Sequence, residues 1–193
     1  MAIQTFTSGQ ILTAADTNTY LANSGLVYVT SGALSGATTN FVSCFTSAYD
    51  DYHIMINRVS LSAAGGDGLG IRLLSGTTPN TANYTFASQG LDTGGTARNV
   101  TSGATSYAYV GYTTGAGGAG LALGAISMDV FNPNLTSRTN AVISSMSFNA
   151  DSYTKQSGMW HHVDTTAYNG IQFLMTTAGS IGGQVTIYGY RKA

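Results

Sequence analysis

The chain is 193 residues long, has a formal net charge of −1, and is only 8% charged, against roughly a quarter in an ordinary soluble domain. Seven scattered Lys and Arg exclude the clustered cations that a phosphate backbone needs, so no nucleic-acid partner is expected. One cysteine, Cys44, excludes an internal disulfide framework, and no apolar run reaches the ~18–20 residues of a membrane span.

The opening stretch "FTSGQILTAADTNTYLANSG" (6–25) carries the clearest helix signal. Thr13 can cap it, Asp16 follows three residues on, and Gly25 stands beyond the last turn. A helix over 14–22 is shorter than the roughly 12–15 residues at which an isolated helix becomes marginal in water. It must therefore pack on something, and Leu12, Ala15, Tyr20 and Leu21 are the candidates for its packed side. "MAIQTFTSGQ" has neither a basic n-region nor an apolar h-region, so no secretory signal is expected.

After Gly25 the pattern changes. All eight acids are Asp and none is Glu, Thr and Ser replace charges, and 25 glycines punctuate the chain, a composition for strands and turns. "LVYVT" (26–30) and "NFVSCF" (40–45) read as strands, with Cys44 a small buried residue. "YHIMINRVSLS" (52–62) sets Tyr52, Ile54 and Ile56 against His53, Met55, Asn57 and Val59. Both sets are mixed, which predicts a strand covered on both faces. "AAGGDG" (63–68) reads as a long hairpin loop leading back into "LGIRLLS" (69–75).

Residues 76–103 read as surface loop around one strand, 83–90. "ATSYAYVGY" (104–112) alternates well and is followed by the flexible turn "TTGAGGAG" (113–120). Strands then follow at 121–131, 139–150, 153–164, 169–177 and 183–193, with 139–150 and 153–164 paired across a short turn. Pro79 and Pro133 both fall in expected loops. Ten or eleven strands with no helix between them predict an antiparallel sandwich or barrel. The expected organisation is an arm over 1–24 and one β domain over 25–193.

Three stretches resemble a known group. "TFTSGQILTAADTNTYLANSGLVYV" is similar to the opening of small virion structural proteins of tailed phages, especially those of marine bacteria and cyanobacteria. "FTSAYDDYHIMINRVS" resembles their Phe-x-x-x-Tyr-Asp-x-Tyr entry into a long strand, and "GSIGGQVTIYGYRK" resembles their closing strand. The resemblance implies an all-β, jelly-roll-like antiparallel β-sandwich with a short N-terminal helical arm, displayed on a virion assembled in the host cytoplasm. It implies no catalysis and no cofactor. Such proteins serve as capsid decoration or cement, or as tail fibres. Low charge, the lone helix and this resemblance together predict a homo-oligomer, a trimer, joined to other virion proteins. A carbohydrate-binding module that contacts host-surface glycans is the alternative, and a hydrolase has the least support.

The residues with chemistry give little sign of catalysis. His161 and His162 in "MWHHVD" point to opposite faces of a strand, whereas His162 and Asp164 share one; two ligands with His53 elsewhere do not make a metal site. Asp50 and Asp51 are adjacent and diverge on an extended chain, unlike a glycosidase pair, and suit backbone bonds at a turn. "GAGGAG" lacks the strand, helix and Lys-Ser/Thr of a phosphate loop. Exposed aromatics can stack on sugars or anchor an interface. Tyr107, Tyr109 and Tyr112, flanked by glycines, and Trp160 are the candidate ligand contacts, with the core as the competing place for each.

Overall fold

The computed structural model describes Gly9, Ile11, Thr13 and residues 25–62, 68–112, 123–149 and 152–192. These form thirteen strands, and no helix is found among them. The helix expected over 14–22, with Leu12, Ala15, Tyr20 and Leu21 as its packed side, lies outside the described residues.

The strands are β1 (Leu26–Leu34), β2 (Thr38–Phe41), β3 (Tyr49–Leu61), β4 (Gly68–Ser75), β5 (Thr78–Pro79), β6 (Tyr84–Asp92) and β7 (Ala97–Thr105). They continue with β8 (Ala108–Tyr112), β9 (Leu123–Phe131), β10 (Thr139–Asn149), β11 (Ser152–His162), β12 (Gly170–Met175) and β13 (Ile181–Arg191). One sheet has eight strands in the order β1-β13-β3-β9-β10-β11-β6-β7. The other has five, β2-β12-β4-β5, with β8 also on β4. All pairings are antiparallel. The inner faces share one core: Ile54, Ile56, Met128, Val130, Val185 and Ile187 from the larger sheet meet Leu69, Ile71, Leu73, Ile171 and Phe173 from the smaller.

Strand β3 is open on one face rather than covered on both. Tyr52, Ile54 and Ile56 are fully buried, while Met55 on the other side is exposed. The mixed pattern comes from a bulge. Arg58 has φ 53°, the pairing with β9 slips between Asn57 and Val59, and Val59 and Leu61 thereby return to the core. Strands β3 and β4 are not a hairpin, because they belong to different sheets. "GLGIRLL" is buried almost throughout, with Arg72 alone half-buried.

Strand 40–45 stops at Phe41, and the stretch 76–103 holds β5, β6 and most of β7, which runs on to Thr105. The stretch 104–112 is not one strand. It leaves the larger sheet after Thr105 and enters the smaller at Ala108. The corner is held by Arg72, whose Nε donates to Ser106 O (2.8 Å), and by Thr105, whose hydroxyl donates to Tyr107 O (2.7 Å).

One bond ties the sheets together through a gap in a ladder. Strand β8 covers β4 at Gly68–Ile71 and β5 covers it at Leu74–Ser75. Between them Leu73 N–H donates to the hydroxyl of Tyr84 from the other sheet (2.8 Å), and Asn80 N–H donates to Leu73 O (2.9 Å). The tyrosine stands in for a missing strand.

Candidate functional site

The two outer faces differ in chemistry. On the smaller sheet Asn40, Gln172 and Arg72 lie side by side by register. Gln172 Nε2 donates to Asn40 Oδ1 (2.8 Å) and Arg72 Nη1 to Gln172 Oε1 (3.3 Å), so the polar groups satisfy one another.

On the larger sheet, register sets Asp51, Phe131, Asn140, His161 and Thr85 in one line across β3, β9, β10, β11 and β6. The next line along the strands is His53, Asp129, Val142, Met159 and Ala87. Period-two alternation turns all ten outward, away from Val130, Ala141, Trp160 and Phe86 in the core. Phe131, Asn140, Val142, Met159, His161 and Thr85 line a groove of about 270 Å³. A shallower depression adjoins it over Gln89, Asn99, Thr101 and Ser157. Val142 and Met159 are 45% and 62% exposed, so the floor between the polar groups is apolar and open to solvent.

One end of this face is acidic and hydrogen-bonded. His53 Nδ1–H donates to Asp129 Oδ1 at 2.6 Å, and Tyr190 O–H donates to the same oxygen at 2.7 Å. Burial, and then the bond to Asp129, push the Tyr190 hydroxyl up to about 12, so it stays a donor at neutral pH. Asp51 Oδ1 accepts from Asn132 N–H (3.1 Å), a cross-strand loop bond rather than a bond to its own turn. Asp50 pairs with Lys192 (2.7 Å), both half in solvent, a contact worth little to stability.

Trp160 and Tyr109 are core residues, not surface contacts. Trp160 is 1% exposed and Tyr109 8%, because the alternation that turns Met159 outward turns Trp160 inward, and β8, paired to β4 in the smaller sheet, packs against β10, β11 and β6 of the larger. Tyr107 is half-buried against the core. Tyr112 ends β8, and its side chain lies outside the described residues. The sequence reading missed Phe131 and Asn140. The signal was there, since Ser127, Asp129 and Phe131 form one alternating set, but nothing in it said which set faces out.

His161 and His162 do point to opposite faces. His162 is fully buried; its Nε2–H donates to Ala82 O (3.1 Å), and Tyr168 O–H approaches Nδ1 (3.4 Å). Asn80 donates to Tyr168 Oη (2.8 Å), and Asp164 lies 3.8 Å from His162 Nε2. No cluster of metal-ligating residues occurs among the described residues. Cys44 is buried, and burial pushes its thiol up to about 12, so it is a poor nucleophile.

The buried histidine makes the fold sensitive to acid. Desolvation lowers the His162 pKa despite Asp164 nearby. An unfolded chain takes up this proton near the ordinary value of about 6.5, whereas the folded chain resists until lower pH. Below about pH 6.5 the unfolded state therefore binds more protons, and stability falls as pH falls through that window. Thermal melts should hold steady above pH 7 and drop between pH 7 and 5. A His162→Gln variant should lose that slope; an unchanged slope would place the titration elsewhere.

No family model and no curated protein matches this chain.

Proposed function

We propose that this chain is a non-catalytic structural component of a phage virion, displayed on the particle surface and acting by assembly. In this reading the two sheets are a jelly-roll-like sandwich, residues 1–24 are the docking arm, and the protein is a homo-oligomer, a trimer, bound to other virion proteins. Capsid decoration is the form taken here, with a tail fibre as the alternative. The resemblance of its opening, β3-entry and closing stretches to such proteins supports the virion part.

The observation that carries the assembly part is β1. It forms one edge of the larger sheet, follows residues 1–24 directly, and contains no charged residue and no proline. Leu26 and Tyr28 on it are 43% and 60% exposed. Proteins blunt free edges with charge, proline or cover, so a long neutral edge with exposed apolar side chains suits pairing with another chain.

Light scattering on the full chain tests this. It should be oligomeric at micromolar concentration, and Leu26→Lys with Tyr28→Lys should give a monomer with a nearly unchanged melting temperature. Removal of residues 1–24 should leave the β domain folded and abolish particle attachment. A wild-type monomer, or a truncated form that still binds particles, would overturn the assignment.

A further inference from the structure

We propose that the groove across β9, β10, β11 and β6 is a subsite for one neutral pyranose ring of a glycan. Phe131 is the stacking platform, with Asn140, His161 and Thr85 as hydrogen-bonding partners. The subsite lies on the sheet face, away from the β1 edge on which the assembly reading rests, and deepens that reading by giving the displayed domain a ligand.

The chemistry of the lining selects the ligand. A pyranose has an apolar face of C–H groups and a rim of hydroxyls, and the groove has the matching halves. Phe131, Val142 and Met159 offer aromatic and aliphatic surface, on which C–H groups find dispersion contacts. Asn140, His161 and Thr85 form the polar part of the lining. Among the described residues, neither His161 nor Thr85 uses its side chain in a hydrogen bond, and Asn140 makes only a long donation to Arg138 O (3.3 Å). The imidazole, the hydroxyl and the Asn140 carbonyl are therefore available to an incoming ligand.

Charge narrows the class further. No Lys, Arg or Asp lines the groove; Asp51, Asp129 and His53 stand beside it in register, and Arg138 lies two residues before Asn140. Both hydrogen bonds to Asp129 go to Oδ1, and Asp129 stands in register beside Val142 of the groove lining. Carboxylates there repel phosphate, sulfate and sialic acid and accept from neutral sugars. At about 270 Å³ the groove falls just below the ~300 Å³ at which drug-sized pockets begin, which suits a single ring held weakly and used many times over in an oligomer.

The test is an array of neutral hexose- and N-acetylhexosamine-terminated oligosaccharides, with sialylated and phosphorylated ones as the contrasting arm, probed with the full chain. Saturation-transfer NMR on the best hit then gives affinity at the monomer level. Neutral glycans should bind and acidic ones should not. Phe131→Ala and Asn140→Ala should each weaken binding roughly tenfold, the equivalent of one good contact, at an unchanged melting temperature. Binding that survives both substitutions, preference for acidic glycans, or no glycan binding at millimolar ligand would overturn the proposal. Protection of Val142 and Met159 amides on oligomerisation would instead make this face an interface between copies. The assembly reading fails separately, on the Leu26 and Tyr28 variants.

Discussion

Replacing Trp160 with Ala should lower stability by about 3–5 kcal/mol, the range for deleting a fully buried indole. The side chain is 1% exposed, its Nε1–H lies 3.3 Å from Met128 Sδ, and its ring stands edge-on to Tyr84 at 6.5 Å. The backbone of β11 is locked between β10 and β6, with Ala141 and Phe86 as the flanking residues, so the space cannot close by a shift of the strand. A domain of this size holds ~5–15 kcal/mol, so the variant should still fold. Its melting temperature should fall by on the order of 10 °C. Urea denaturation followed by circular dichroism gives the number. A loss under about 1 kcal/mol would mean that the ring is at the surface, and would return Trp160 to the ligand contacts first considered.

Tyr84→Phe removes one oxygen and should still cost about 1–3 kcal/mol, because it strands a buried donor. The Tyr84 hydroxyl accepts from Leu73 N–H at 2.8 Å and donates to Asn80 O at 3.2 Å, filling the gap between β8 and β5 on the edge of β4. Tyr84 is fully buried, and burial raises its pKa, so the hydroxyl stays neutral and no water reaches Leu73 in its place. The ring remains in the variant, so no cavity adds to the effect. Hydrogen exchange should speed up at the Leu73 amide before other amides of β4. A loss below 0.5 kcal/mol would show that the gap is closed by something other than this side chain.

These two residues also show what the sequence carried. Strands β9, β10 and β11 are legible because alternation is strict there: Ala141, Ile143, Ser145 and Ser147 are buried while Val142, Ser144 and Met146 are exposed. The same example shows why the face was not legible. Serines 145 and 147, Thr154 and Gln156 are inside, and Val142, Met146 and Met159 are outside, so polarity does not say which set is core. That single ambiguity put Trp160 among the surface candidates and hid Phe131.

Other misses have local causes. The Arg58 bulge shifts one strand by a residue, and no residue type announces a positive φ at an arginine. Strand β7 is rich in turn-formers, "ARNVTSGAT", and exists because β6 offers it a ladder, a tertiary cause that propensity cannot see. The placing of β4 in the other sheet from β3 was invisible because a glycine-rich connection fits a hairpin and a crossover alike.

The position of β13 has a consequence for synthesis. It sits between β1 and β3 and, among the described residues, is the only strand that β1 pairs with. During translation β1 emerges early yet has nothing to dock on until the ribosome has passed Arg191, more than 150 residues later. Contacts so distant along the chain form late and slowly. The neutral β1 edge therefore comes into being as the last act of folding, and polypeptides cut short by premature termination never form it.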